Sequence, residues 1–356
     1  MRTVKCAVIG AGWWGTAAHV PALKHHPLAE LVAVQSRDAA KARKTARDFD
    51  ATHACATVEE VLAVPGLEAV IISSTPNAHY LQARAALERG LHVLIEKPMT
   101  ITVAEAEELV ALAESKRRHF LISSPWLYTA RVREARRLIQ SGALGRLKMI
   151  SVLHSNFTAG LYRGLPWAEV FGRNPTRQNS SHPYCTPGRQ SYSDPAVAGG
   201  GQIYCQVAHI AALLGFLTGC NPVSVFAQFD NDGTGVDVYN MLNLKLDDGT
   251  LVSVASTGAT PDSERSCEFR LYGTGGLLLM ELWKGTMQFH PFQGEVVRYP
   301  DLAEAEIYPM FAPAENLVEV ILGRAENGAP AWLGLYGMKI IQAACQSART
   351  GENVKI

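Results

Sequence analysis

Short apolar runs alternate with amphipathic stretches through the first third of the chain. Runs at 5–9, 31–35, 69–73, 92–95 and 120–122 have the length and aliphatic content of strands buried on both faces, while 78–89 and 103–116 carry apolar residues at helical spacing. That alternation predicts a parallel, doubly wound sheet with crossover helices. After Pro125 the pattern changes. A helix at 131–141 precedes a strand at 147–153, and then 158–198, rich in Pro, Gly, Ser and Asn, shows no period. Gly199-Gly200-Gly201 opens an apolar helix over 202–217. Six strands follow at 223–229, 239–246, 250–256, 267–272, 277–281 and 287–290, joined by turns such as Asp247-Asp248-Gly249 rather than by helices, which predicts an antiparallel sheet. Helices at 314–327 and 335–349 close the chain, the last returning toward the first unit. The expected fold is α/β in two domains, 1–124 on the parallel sheet and 125–356 as an α+β domain on a mainly antiparallel one.

Composition narrows the field. With 47% hydrophobic residues in 356, the chain can build two cores, and 33 basic residues cancel 33 acidic ones. No long-range field would gather nucleic acid or an anionic membrane, so neither is an expected partner. Seven scattered cysteines with no C-x-x-C pair suggest neither a disulfide framework nor a metal site. The first strand begins close to Met1, and no segment has eighteen uninterrupted apolar residues, so the expectation is a cytoplasmic protein.

The first strand runs into Gly10-Ala11-Gly12-Trp13-Trp14-Gly15. This spacing, between a strand and a helix, suits a dinucleotide pyrophosphate: Gly10 allows a tight turn, Gly12 a close backbone approach and Gly15 helix-on-strand packing, with Trp13 and Trp14 on the same loop. The second strand ends in Gln35-Ser36-Arg37-Asp38, where a carboxylate would suit NAD. Ser36 and Arg37 favour the 2′-phosphate of NADP, although a helix-capping role for Ser36 or Asp38 would leave NAD open. Thr75-Pro76-Asn77 with His79, and Glu96-Lys97-Pro98, stand at the carboxyl ends of two further strands, facing the same crevice. Thr75 or Asn77 could equally cap a helix. Proline holds Lys97 extended at its strand end, where an ammonium could bind a substrate hydroxyl and stabilise a developing alkoxide.

The glycine loop, the Thr75-Pro76-Asn77 segment with His79, and Glu96-Lys97-Pro98, in this order, resemble the Gfo/Idh/MocA oxidoreductases. The passage from Leu138 to Gly145 is also similar to the family's entry into its second domain. The resemblance implies a Rossmann domain joined to a domain on an open antiparallel sheet. It further implies a homodimer or homotetramer built through that sheet, and oxidation or reduction of a sugar, polyol or related carbinol. Family members carry G-G-G-x-x-x-D-x-G-x-H; here Gly199-Gly200-Gly201 is followed in register by His209, but Cys205 replaces the Asp and Val207 the Gly. Residues 205 and 209 share a helix face, so His209 is expected to act as general base with Lys97 as its catalytic partner. Three readings of Cys205 stay open: a bystander whose polar role passes to Gln202, Tyr204, Gln206 or the long loop; a branch with another substrate; or lost hydride transfer. Tyr128, Tyr162, Arg163, Trp167, Arg189 and Tyr192 are substrate-contact candidates beside Lys97, Cys205 and His209. Two other functions stay open beside a dehydrogenase: glycoside cleavage through transient oxidation at C3 with a tightly held coenzyme, and a non-catalytic NAD(P)-binding sensor.

Overall fold

The computed structural model describes residues 2–172 and 183–356. In it the early apolar runs become β1 (Val4–Ile9), β2 (Ala29–Gln35), β3 (His53–Cys55), β4 (Ala69–Ile72), β5 (His92–Ile95) and β6 (Phe120–Ile122). All pair in parallel, in the order β3-β2-β1-β4-β5-β6. Alternate residues feed two cores: Val4, Cys6 and Val8 face one, Ala7 and Ile9 the other. Strand order reverses between β1 and β4, and ligands of such sheets bind in the crevice outside the carboxyl ends at that point. β3 escaped the sequence pattern because it is three residues long and two of them are exposed.

The second sheet holds β7 (Leu147–Ser155), β8 (Pro222–Asp230), β9 (Tyr239–Leu246), β10 (Leu251–Thr257), β11 (Ser266–Gly273), β12 (Gly276–Glu281), β13 (Thr286–Pro291), β14 (Val297–Arg298) and β15 (Val354–Lys355). Its order is β14-β13-β12-β11-β7-β10-β9-β8-β15, antiparallel throughout except for the β7–β10 pair. Inward residues of β8, such as Val225 and Ala227, join the core with helix Ala208–Thr218 and helix Trp332–Thr350. Met149, Leu153, Tyr239, Met241 and Leu251 stand exposed on outward positions.

The stretch Pro195–Thr218 is apolar enough to pass for a membrane span, yet 89% of its hydrophobic window is buried within the protein. Its entry is fixed by Asp237, whose carboxylate accepts from Gly201 N at 2.9 Å and Ile203 N at 2.7 Å while its carbonyl accepts from Gln202 N at 2.9 Å. A Cβ on Gly201 would lie 2.0 Å from that carbonyl oxygen, so the third glycine is a requirement of close approach.

The chain then returns to the first sheet. Helix Ala312–Ile321 places Ala314, Leu317 and Val318 in one core with Val4, Ile71 and Leu94. It stops at Ile321 rather than running to 327, because Gly323 takes a left-handed conformation at φ +70°. Phe120 O accepts from Ala331 N at 3.0 Å and Ala329 O from Ile122 N at 2.9 Å, so this segment lines the β6 edge. Helix Trp332–Thr350 bridges the two halves, Gln342 Oε1 accepting from Val103 N at 3.0 Å.

Candidate active site

The glycine loop is held from below and open above. Gly10 N donates to Gln35 Oε1 at 3.1 Å, Ala11 N to the Gln35 carbonyl at 2.7 Å, and Gln35 Nε2 to Ala56 O at 3.0 Å. Gly10 has φ +85°, and a Cβ there would lie 2.6 Å from Ser74 N. A Cβ on Gly12 would meet only Gly10 O, at 3.9 Å. That open side, at the entrance to a helix whose first turns are the π-helical stretch Gly15–His19 and then Val20–His25, fits a pyrophosphate approached by backbone N–H groups. The indoles of Trp13 and Trp14 go elsewhere. Trp13 lies 4.3 Å from Trp167 and Trp14 6.2 Å from Tyr308, centroid to centroid, so they join the loop to the second domain, and only their backbone is left to serve a phosphate.

At the end of β2, Asp38 Oδ1 accepts from Ala40 N at 2.9 Å and Lys41 N at 3.1 Å, capping helix Ala39–Asp48. Ser36 Oγ accepts from Asp38 N at 3.3 Å, and Arg37 is exposed. At the end of β4, Thr75 Oγ1 donates to Asn77 Oδ1 at 2.7 Å and makes no cap bond to helix Pro76–Glu88. His79, expected against the cofactor, is a brace instead: it is buried, with Nδ1 2.9 Å from Pro98 O and Nε2 3.2 Å from Ser74 O, tying the β4 and β5 loops together. Burial pulls its pKa below the ordinary histidine value.

Glu96 also turns inward rather than toward a cofactor. Its carboxylate meets His19 Nε2 at 2.8 Å and accepts from Lys97 N at 3.2 Å. Burial alone would raise its pKa, but the His19 bond and the charges of His19 and Lys97 outweigh that and hold it below the usual carboxylate range. With its backbone anchored, Lys97 extends Nζ to within 3.1 Å of Cys205 O. The Lys97–Pro98 peptide is cis. Cys205 belongs to the π-helical stretch Ile203–Val207, where a widened turn is a common feature of functional sites.

Lys97 and His209 both border one space of about 10 Å³, room for a single water, whose lining is otherwise mostly apolar, including Met99, Ile122, Ala212, Leu333 and Ile341. His209 is 4% exposed, and its Nδ1 has no hydrogen-bond partner among the described residues. Burial first, then the charges of Lys97 and His154, push its pKa well below the ordinary value. Its ring stands edge-on to Trp126, centroids 5.4 Å apart. Trp126 in turn lies 5.0 Å from Trp283 and 5.3 Å from Tyr308, which stack on each other at 5.3 Å, and Arg265 sits over the Trp283 ring at 3.6 Å. His154 is buried behind this wall, Nδ1 3.1 Å from Ser266 O and Nε2 3.2 Å from Gln206 Oε1, its pKa lowered by burial to about 4. None of Trp126, Trp283, Tyr308, Arg265 and His154 stood out in the sequence. Trp126 carried a signal, since it follows β6 at the same sheet edge as the other loops.

The remaining candidates scatter. Tyr162 is buried with its hydroxyl donated to Gln202 Oε1 at 2.8 Å, in an apolar cluster with Ala159, Cys205, Val236 and Val238 against which Tyr192 packs. Cys205 is therefore a core thiol, while its neighbour Gln206 reaches His154. Tyr128 is corrected: its hydroxyl donates to Asn316 Oδ1 at 3.1 Å, serving the junction with helix Ala312–Ile321. Arg163 is corrected too, because it pairs with Asp232 at the surface, and Arg189 is exposed. Trp167 packs on Trp13. From the same long loop Tyr184 donates to Asp48 Oδ2 at 2.8 Å under the Lys44 ammonium, and Cys185 Sγ lies 3.3 Å from Thr16 Oγ1 and 3.7 Å from Ala11 O.

Comparison with known proteins bears on this arrangement. The model of an oxidoreductase family with an NAD-binding Rossmann fold matches residues 4–123, and that of the GFO/IDH/MocA C-terminal domain matches 132–279. The chain belongs to the Gfo/Idh/MocA oxidoreductases. An uncharacterised oxidoreductase of Synechocystis is 39% identical over 146 residues, 41% of this chain and 39% of that protein. The match spans less than half the length of the first curated relatives. A dTDP-3,4-didehydro-2,6-dideoxy-alpha-D-glucose 3-reductase of Saccharopolyspora spinosa is 28% identical over 282 residues, covering 79% of this chain and 75% of that protein. Levoglucosan dehydrogenase, solved with NADH and levoglucosan, shares the fold at a TM-score of 0.83 and 19% identity, with 100% of both chains covered. Membership of the Gfo/Idh/MocA group makes this a nicotinamide-binding oxidoreductase fold.

Proposed function

We propose that this Gfo/Idh/MocA protein interconverts a carbinol and a carbonyl on a sugar, polyol or glycoside, using NADP in preference to NAD. The coenzyme, when bound, supplies the hydride acceptor or donor. The Lys97 ammonium, held beside Cys205 O, is free to turn its hydrogen bond to the reacting oxygen and stabilise negative charge there. His209, kept neutral, takes the hydroxyl proton. The convergence of these two side chains on one small space carries the reading. The sugar substrates in the names of the Saccharopolyspora reductase and levoglucosan dehydrogenase support the substrate class. Lys97→Met should lower turnover about 100-fold or more while coenzyme affinity stays nearly constant, read by coenzyme absorbance and binding titration; unchanged turnover would refute the assignment. Seven free cysteines support a cytoplasmic location, and the apolar outward positions of the second sheet support a homodimer or homotetramer.

The contacts of Cys185 with Thr16 and Ala11 at the glycine loop, and of Tyr184 with Asp48 on the neighbouring helix, favour a second reading, in which the coenzyme is retained and recycled during glycoside cleavage. Glycoside cleavage without added coenzyme would select it. Strict dependence on added coenzyme would remove it.

A further inference from the structure

We infer that His19 is a positioning residue for Lys97: acting through Glu96, it keeps the lysine's ammonium free for the reacting oxygen. The inference rests on the charge-stabilising role proposed for Lys97 and assigns a residue that serves that role without touching substrate. His19 closes the π-helical stretch Gly15–His19 behind the glycine loop, a widened turn in which Val20 N donates to Gly15 O. Thr16 of the same stretch donates to Gly12 O at 2.8 Å, so the imidazole is fixed on the loop's own scaffold. The ring is fully buried, yet only one of its nitrogens is used. Nε2 lies 2.8 Å from Glu96 Oε1, while Nδ1 has no partner among the described residues. The second carboxylate oxygen, Oε2, accepts from Lys97 N at 3.2 Å. His19 and the backbone of Lys97 thus share one carboxylate, and Lys97 Nζ is left to reach Cys205 O at 3.1 Å.

An unpartnered buried nitrogen is a cost that packing alone would avoid with an apolar side chain, so the Nε2 bond is what histidine supplies here. What that bond does follows from where Glu96 sits. A carboxylate only 7% exposed keeps its charge when hydrogen bonds and opposite charge surround it. Burial works to protonate it; the His19 hydrogen bond and charge, then the Lys97 charge, outweigh burial and keep it ionised. Without His19, the charge left to satisfy it is the Lys97 ammonium. A carboxylate that seized Nζ would draw it off Cys205 O and compete with the substrate for it. Pro98 is held from the opposite flank, its carbonyl 2.9 Å from His79 Nδ1, so the loss of His19 falls on these two side chains rather than on the path of the loop.

The test uses the full chain and two substitutions that each keep half of the imidazole's reach. His19→Gln can place an amide N–H where Nε2 stands, whereas His19→Asn reaches only the Nδ1 position. The first readout is the rate at which N-hydroxysuccinimidyl acetate acetylates Lys97, followed by mass spectrometry with exposed Lys116 as internal standard. His19→Asn should slow that rate about three-fold or more and His19→Gln by less than about two-fold, because an amine paired with a carboxylate is a poorer nucleophile. The second is turnover with NADP on whichever of glucose, myo-inositol and levoglucosan the parent protein oxidises fastest. There His19→Asn should lower kcat about ten-fold or more with coenzyme KM within about two-fold, His19→Gln should keep most of it, and His19→Asn should add nothing to Lys97→Met. The double variant His19→Asn with Glu96→Gln removes the competing charge and should acetylate at the parent rate; slow acetylation there overturns the inference whether or not His19→Asn alone folds. Equal or faster acetylation in His19→Asn, or an equal fall in kcat for both substitutions, also overturns it. Slow acetylation in His19→Asn with undiminished turnover in Lys97→Met would sink the catalytic reading and leave this one standing. Lost turnover in Lys97→Met with unchanged acetylation in His19→Asn would do the reverse.

Discussion

The amide of Gln35 is committed to Gly10 and Ala56, and the carboxylate of Asp38 to the first turn of its own helix, which leaves Ser36 and Arg37 as the groups that the proposed NADP preference assigns to the adenosine ribose. Arg37→Ala should weaken NADP about ten-fold or more and NAD by about two-fold at most, measured as KM for each coenzyme; equal losses would remove the preference. His209 makes a second prediction at this scale. Its pKa is held below the ordinary value of about 6.5 by burial, Lys97 and His154, so the ring is still a proton acceptor when an exposed histidine would already be charged. In the oxidation direction kcat/KM should stay level as pH falls through about 6.5 and decline only below it. An acid limb centred at or above 6.5 would contradict the assignment, and His209→Asn should abolish the limb.

Among the elements, the glycine loop separates binding from folding. Gly12→Ala should fold normally, since its Cβ enters open space, yet lose coenzyme affinity, whereas Gly10→Ala should lower the melting temperature because of its φ and its contact with Ser74. Normal coenzyme binding by Gly12→Ala would contradict the cradle. These elements were legible in advance because strand and helix periods are local: five of the six parallel strands, the loops at their carboxyl ends and the glycine triplet before His209 all show in the residue pattern. β3 was not, being too short to have a period. Nor was the parallel pairing of β7 with β10, since partner and direction are fixed by packing between segments far apart in sequence. Arg265, Trp283 and Tyr308 reach the site from aperiodic connections, where residue type gives no direction. Glu96 and His79 were readable as positions but not as roles, because the side chains of both, one just after β5 and the other in the first turn of helix Pro76–Glu88, turn inward.

At the scale of the whole molecule, the outward positions at Met149, Leu153, Met241 and Leu251 form a broad apolar area on paired strands. If the proposed homodimer or homotetramer forms through this face, Met241→Glu combined with Leu251→Glu should give monomers in light scattering at constant helix and strand content; a mass unchanged from that of the parent protein would contradict the use of this face. The strip from Ala329 to Ala331 has a different consequence. Because it supplies hydrogen-bond partners to Phe120 and Ile122, and the preceding helix fills a core with Ile71 and Leu94, the nucleotide-binding half is completed by residues translated some two hundred positions later. During synthesis β6 must wait, its outer border bare, until those later residues have left the ribosome. A fragment ending near residue 124 would carry that bare border permanently and tend to aggregate, and coexpressing the missing tail as a separate peptide is the natural way to rescue it.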